Sequence, residues 1–166
     1  MNHSFVTVKG SLSKEKLNNL IIKINEFYFK NVFTVTRFDS YWEIKYYNDQ
    51  NLILLGITID NKRKLHLRPS GGNFCGWIET VFQNEIAFAL NGMCSCDAFK
   101  DRWEPIKNKL PTYRDYWDLT WGASIEYSSL EQWQFICGYF EKYIKSLPDE
   151  LKQFVGVSPN PNVLPE

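Results

Sequence analysis

The segment from residue 32 to residue 68 is the part of the sequence that most constrains the fold. Short stretches rich in β-branched and aromatic residues alternate there with clusters of turn-forming residues. This pattern is typical of β-strands joined by tight turns. The predicted strands are Val32 to Phe38, Trp42 to Tyr46, Ile53 to Ile59 and Lys64 to Arg68. Because such short loops join antiparallel neighbours, the segment predicts an antiparallel meander.

Helical periodicity marks three longer segments outside the meander. In each of them apolar residues recur at spacings of three and four, which is typical of a helix with one buried face. Serine caps, an Asn-Gly pair and a proline mark several of the ends. The predicted helices run from Ser13 to about residue 29, over residues 74–91, and from Ser129 to Pro148. A strand is predicted over residues 4–9, and residues 92–112 are predicted to be irregular with a short helix near Asp101 to Lys107.

The order of these elements predicts an α+β fold. It consists of an antiparallel β-meander of about four to five strands with three main helices, mostly on one face. The chain has 166 residues, a length that suits a single domain. We expect that domain to cover residues 1–157 and a flexible C-terminal tail to cover residues 158–166. Large rings supply much of the core, since aromatic residues make up 16% of the sequence.

The sequence predicts a cytoplasmic protein that does not enter a membrane. Its N-terminal residues lack the apolar run of a signal peptide. The apolar runs elsewhere are much shorter than a membrane-spanning helix requires. Four cysteines without a secretion signal suggest reduced thiols in a cytosol.

Charge is balanced overall but unevenly distributed. Residues 1–73 hold 11 Lys and Arg against 6 Asp and Glu, whereas residues 74–166 hold 8 against 13. Such asymmetry either marks a partner surface or reflects scatter within one domain. A net charge of zero argues against broad, non-specific binding of nucleic acid.

An aromatic segment over residues 113–121 is the main candidate for a partner-binding surface. Its rings recur at helical spacing, so they either belong to the core or form an exposed patch with the neighbouring charged residues. Exposed Tyr and Trp beside charged side chains are typical of binding hot spots. The predicted partner-binding residues are Tyr113, Arg114, Asp115, Tyr116, Trp117, Asp118 and Trp121.

The loop between the last meander strand and the second helix is the alternative site. Glycines before a helix N-terminus let a phosphate approach free backbone N–H groups, and Arg68 adds a positive charge. This loop resembles the Arg-x-x-Gly loop of GNAT-type acetyltransferases, which cradles the pyrophosphate of coenzyme A, although Asn73 stands where that pattern has Gly or Ala. The alternative is an ordinary Gly-rich turn. The candidate ligand-binding residues are Arg68, Ser70, Gly71, Gly72 and Asn73.

The stretch from Lys62 to Arg68 is rich in basic residues and supports a third hypothesis. Lys62, Arg63, Lys64, His66 and Arg68 lie within seven residues. Near aromatic rings, such a strand can bind single-stranded nucleic acid through charge and stacking. The alternative is a charged turn that protects a sheet edge from further pairing. With zero net charge, nucleic acid is the less favoured partner.

Other reactive residues do not form a recognisable motif. Cys94 and Cys96 lack the paired spacing of a structural zinc site, so neither a metal nor a cofactor is predicted. A nucleophilic pair of Cys75 with His66 is conceivable across the loop, but a solvated sheet histidine is the simpler interpretation. Carboxylates that would suit acid–base chemistry also suit surface ion pairs. These carboxylates are Glu104, Asp115, Asp118 and Glu126.

Taken together, the sequence favours a small binding protein over an enzyme. We expect one protein partner, held on an aromatic and acidic C-terminal surface. An immunity or antitoxin-type inhibitor is a concrete version, by analogy with a class of small proteins that present acidic surfaces to basic toxins. The alternatives are an acyltransferase-like ligand site at Arg68 to Gly72 and nucleic-acid binding through Lys62 to Arg68.

Overall fold

The chain folds into two compact units, Met1–Asn108 and Lys109–Glu166. A computed structural model describes residues 3–46, 52–60, 63–107, 109–122 and 128–165. Among the helices formed by these residues, none is both long enough and apolar enough to cross a bilayer.

The first unit contains an antiparallel sheet with seven strands in the described residues. Its spatial order is β2-β3-β4-β5-β1-β6-β7, so β5 lies fourth and the edges are β2 and β7. The predicted α+β class and the predicted meander are both confirmed, since β2 to β5 are consecutive antiparallel neighbours. The strands are β1 (Ser4–Thr7), β2 (Thr34–Phe38), β3 (Tyr41–Tyr46), β4 (Leu52–Ile59), β5 (Lys64–Pro69), β6 (Met93–Cys96) and β7 (Phe99–Trp103).

Alternation along the strands places apolar residues on one face of this sheet. Ile57 lies opposite Trp42 on β3 and opposite Leu67 on β5, and all three side chains are fully buried. Ile44 is likewise buried opposite Leu55. A register of this kind is strongly specified, because a slip by one residue would move every apolar side chain to the opposite face.

Two strands lie in the segment that the sequence predicted to be irregular. β6 pairs with β1, and β7 pairs with β6 to form an edge. The prediction for residues 92–112 is therefore wrong where these strands run, and Asp101 begins no helix because it lies within β7. The pattern was missed because four of the five β7 residues are exposed, so the strand has no apolar alternation. The strand forms through its backbone pairing with β6, although its side chains show no hydrophobic pattern.

Two long helices cover the apolar face of the sheet. The helices are α1 (Lys14–Phe29) and α2 (Asn73–Ala89). The Ser13 hydroxyl caps α1 by accepting a hydrogen bond from the Lys16 N–H at 3.2 Å. Phe29 of α1 joins the helices, because its ring centroid lies 5.4 Å from Trp77 and 5.7 Å from Phe82 of α2. The prediction that helices pack on one face is confirmed for this unit.

The second unit is helical in the described residues. It contains α3 (Tyr113–Trp117), which continues into a π-helical turn (Asp118–Gly122), then α4 (Leu130–Lys145) and α5 (Asp149–Lys152). Ser129 caps α4 by accepting from the Gln132 N–H at 3.2 Å, as the serine pair predicted. The third long helix is therefore confirmed.

Residues just beyond α5 are held by specific contacts. Pro159 is buried, and the Asn160 carbonyl oxygen accepts a hydrogen bond from the Trp133 indole N–H at 2.7 Å. The hydrogen bond from Trp133 therefore holds the start of the predicted tail against α4.

Candidate functional site

The aromatic segment of the second unit divides between core and surface. Tyr113 and Trp117 are buried, and their ring centroids lie 5.5 Å and 5.4 Å from that of Phe140 on α4. These two rings therefore form the core of the unit, which is the alternative that helical spacing left open. Tyr116 is half-buried, and the side chain of Trp121 lies outside the described residues.

The charged residues of the same segment have local partners. Arg114 binds Asp118 through its Nε, at 2.8 Å from Oδ1 and 2.9 Å from Oδ2, and donates from a terminal nitrogen to the Val157 carbonyl at 3.0 Å. Asp115 closes a capping box with Thr112, accepting from its N–H at 2.9 Å and from its hydroxyl at 2.6 Å. Asp115 thus stabilises the start of α3, whereas Asp118 stays half exposed and can meet a partner.

A row of rings that is exposed at Phe135 and Tyr139 lies on α4, and the sequence did not single it out. Phe135, Tyr139 and Tyr143 follow one another at four-residue spacing and form what we call the aromatic ridge. Phe135 is 67% exposed and Tyr139 is 39% exposed. The Phe135 and Tyr139 centroids lie 5.1 Å apart at nearly a right angle, and those of Tyr139 and Tyr143 lie 6.5 Å apart. Its sequence signal is a second aromatic stripe, rotated away from the buried stripe of Trp133, Ile136 and Phe140.

The unit that carries the aromatic ridge is acidic on balance. The second unit contains 5 Lys and Arg against 8 Asp and Glu. Two exposed charged residues lie beside the aromatic ridge on α4: the carboxylate of Glu131, one turn before Phe135, and the ammonium of Lys142, three residues after Tyr139. Rings next to surface carboxylates suit a partner that offers apolar pockets rimmed by basic side chains.

The predicted phosphate loop has the expected shape but uses its donors internally. Gly71 and Gly72 have φ values of 127° and 81°, conformations that favour glycine, and Gly72 precedes the first residue of α2, Asn73. Ser70 donates its N–H to the Leu54 carbonyl at 3.2 Å. Burial has the largest effect on the pKa of the Cys75 thiol and raises it, whereas hydrogen bonds from the N–H groups of Gly71 and Ser70 to that thiol lower it. The loop therefore offers fewer N–H groups to an anion than its glycines suggested.

The basic strand lies in the centre of the sheet. Since β5 is fourth of seven in the sheet order, its charges do not protect an edge, and that interpretation is wrong for Lys64, His66 and Arg68. All three lie on the face opposite α1 and α2, alternating with the buried Leu65 and Leu67. Lys62 lies outside the described residues.

His66 belongs to a small cluster rather than standing alone in solvent. Its Nε2 lies 2.8 Å from Asp60 Oδ2, and its ring meets the Phe5 ring edge to face at 4.9 Å. The Lys64 ammonium lies 3.9 Å from the centroid of Phe5. With a carboxylate on its Nε2, His66 is held in one orientation on the sheet surface.

Burial suppresses the reactivity of Cys75 and Cys94. Burial raises the pKa of the Cys75 thiol to about 11 and that of Cys94 to about 12. A thiol with so high a pKa stays protonated at neutral pH and is a poor nucleophile. Within the described part of the chain, no group of three or more His, Cys, Asp and Glu side chains could hold a metal ion. Glu104 is exposed in the first unit, and Glu126 lies outside the described residues.

A buried carboxyl on α2 is the feature that sequence reasoning missed most completely. Glu79 is only 7% exposed, and among the described residues its Oε1 has no hydrogen-bond partner. Burial raises its pKa to about 7, although the hydroxyl and N–H of Ser4 act in the opposite direction. A charged residue in an apolar helical stretch was the available signal, but alternation alone gave no reason to expect it inside.

Comparison with known proteins gives no information about these sites. No family model matches the chain, and neither a curated protein nor a solved structure has significant similarity to it.

Proposed function

We propose that this chain is a protein-binding module that holds one protein partner on the surface of its second unit. The observation that carries this proposal is the aromatic ridge on α4. Its concrete version is an immunity or antitoxin-type inhibitor that meets a basic toxin in the cytoplasm. Four free cysteines, three of them buried, suit that reducing compartment.

Exposed rings at regular spacing are the strongest part of this argument. Phe135 and Tyr139 leave much of their apolar surface in water, and burying such rings against a partner gains free energy roughly in proportion to the buried area. Each ring has few rotatable bonds, so little side-chain entropy is lost when it is fixed. Their edge-to-face contact already restricts both rings, which lowers the entropic cost of binding further.

Electrostatic attraction guides the association of the two proteins. The second unit carries three more carboxylates than cations, and Asp118, Glu131 and Glu141 are exposed. A basic partner is attracted to such a surface before contact, which raises the association rate and makes it depend on salt. Of these carboxylates, Glu131 lies one turn from Phe135 and complements the rings in the proposed interface.

The test compares matched aromatic substitutions in the two units. The untagged protein is purified gently from its own cells and examined by native mass spectrometry as wild type, as F135S/Y139S and as F99S. Phe99 is the control, because it is 69% exposed but lies on β7 of the first unit. We expect a basic polypeptide at fixed stoichiometry that F135S/Y139S loses and F99S retains.

Two results would overturn the proposal. A wild-type chain that never carries a second polypeptide would argue against a protein-binding module. A partner that survives in F135S/Y139S but is lost in F99S would place the interface on the first unit instead. As a control, circular dichroism of each variant checks that the fold is intact.

A further inference from the structure

We infer that the open face of the sheet in the first unit is a binding surface for single-stranded nucleic acid. The open face is the side opposite α1 and α2, formed by alternate residues of the strands. Two features carry the inference: a partly exposed aromatic platform at Phe38 and Tyr41, and cations at Lys64 and Arg68 on the central strand β5.

The platform exists because a glycine lies beneath Tyr41. A Cβ on Gly56 would lie 3.1 Å from Tyr41 Cε2 and 3.2 Å from its Oη, so the phenol ring lies across this glycine rather than pointing away from the sheet. Phe38 continues the platform, with its centroid 6.0 Å from that of Tyr41 and an angle of 25° between the rings. Phe38 is 54% exposed. Rings that lie along a sheet present a surface on which bases can stack.

Cations border this platform on its inner side. Arg68 lies opposite Gly56 in the register of β4 and β5, and it is exposed. Gly56 in turn lies beneath the Tyr41 ring. Arg68 therefore lies close enough to the phenol to meet the phosphate of a base stacked there.

A second group of rings extends the surface across the sheet. Phe5 on β1 packs against His66 and lies under the Lys64 ammonium. Strands are about 4.8 Å apart, so Phe5 on β1 and Tyr41 on β3 are separated by about 14 Å, or three strand spacings. A single strand can span that distance with several nucleotides, whereas a duplex keeps its bases inside and offers none for stacking.

Carboxylates on the same face reduce its charge but do not cancel it. Glu43 lies 2.7 Å from Lys45 and accepts a hydrogen bond from the Tyr41 hydroxyl at 3.2 Å. Asp60 pairs with His66 at 2.8 Å. The three cations Lys45, Lys64 and Arg68 on this face outnumber these two carboxylates. The face is therefore modestly cationic, which suits weak, salt-sensitive binding of a polyanion.

The experiment measures fluorescence anisotropy of labelled single-stranded DNA and RNA 12-mers with the full chain over a range of salt. Dissociation constants of roughly 1–100 µM are expected at low salt. The slope of log K against log salt should be about −2, from two to three phosphate contacts. Y41S should weaken binding roughly tenfold through lost stacking, and Y41F should restore it. R68A should make the slope shallower by about 0.7.

Control variants separate this surface from the rest of the protein. F27S and K23A alter exposed residues of α1 on the covered side of the sheet and should leave binding unchanged. F135S/Y139S should also bind normally, so failure of the protein-binding proposal would not affect this result. Absence of binding by the wild type up to about 100 µM at low salt would overturn the inference. Equal competition by poly-glutamate, or equal affinity for duplex DNA, would overturn it too, because either result would mean that stacking plays no part.

Discussion

Replacing Glu79 by Gln should change how the stability of the protein depends on pH. Glu79 is buried in α2 against the sheet, and burial raises its pKa from 4.5 to about 7. In the unfolded chain the carboxyl is solvated and keeps its ordinary pKa. Folding therefore favours the protonated form, and the charged form must be buried at a cost when the pH is high.

The sign and size of the effect follow from this difference. Because the folded pKa is the higher one, the stabilising contribution is complete below pH 4.5 and disappears as the pH rises through 7. A difference of about 2.5 pH units, at 1.36 kcal/mol each, corresponds to about 3 kcal/mol. Glutamine has nearly the same shape and no charge, so E79Q should have close to wild-type stability at pH 5. It should exceed the wild type by up to about 3 kcal/mol at pH 8.5.

Urea unfolding at several pH values between 4.5 and 8.5, followed by circular dichroism and tryptophan fluorescence, measures this difference. E26Q is the matched control, since Glu26 is an exposed carboxylate on α1 of the same unit. Its stability should parallel that of the wild type at every pH. If E79Q also paralleled the wild type, Glu79 would have to be ionised without penalty in the folded state, and the argument from burial would be refuted.

Three further predictions concern packing and capping. Trp117→Ala should destabilise the second unit by about 3–5 kcal/mol in urea unfolding, because it removes a buried ring from the core; a loss below 1 kcal/mol would contradict that placement. Gly92→Ala should lower the melting temperature, because its Cβ would lie 2.9 Å from the Thr7 carbonyl oxygen; an unchanged melting temperature would mean that β1 shifts freely. Asp115→Ala should cost about 1 kcal/mol by opening the capping box of α3, and Asp118→Ala, at an exposed ion pair, less than half of that; the reverse order would contradict these roles.

The meander could be predicted from the sequence because its strands alternate clearly. Trp42, Ile44 and Tyr46 all face the core, so period two and burial coincide. The edge strand β7 could not be predicted in this way, because Lys100, Asp101 and Arg102 are exposed and its pairing depends on backbone groups alone. Periodic patterns in a sequence arise from buried apolar side chains, so a strand with few buried side chains shows no clear pattern.

The candidate surfaces were predicted less well than the fold, for a related reason. Helical spacing placed Tyr113 and Trp117 on one stripe but could not say whether that stripe faces the core or solvent, and both rings are buried. Phe135 and Tyr139 form a second stripe on α4, and only the structure shows that it is exposed. The position of the Tyr41 ring over the sheet depends on Gly56, which is distant in sequence and adjacent in space.

The position of β1 inside the sheet, between β5 and β6, has a consequence for how the chain folds. Its partners, Lys64–Leu67 on one side and Met93–Cys96 on the other, lie about 60 and 90 residues later in the sequence. During synthesis, β1 is therefore translated first and stays unpaired until both partner strands have been translated. The meander can form first from local contacts, while β1 must close two long loops at once. We therefore expect the insertion of β1 to be the slow step of folding. Until β1 is inserted, the edge of β5 can pair with a wrong strand.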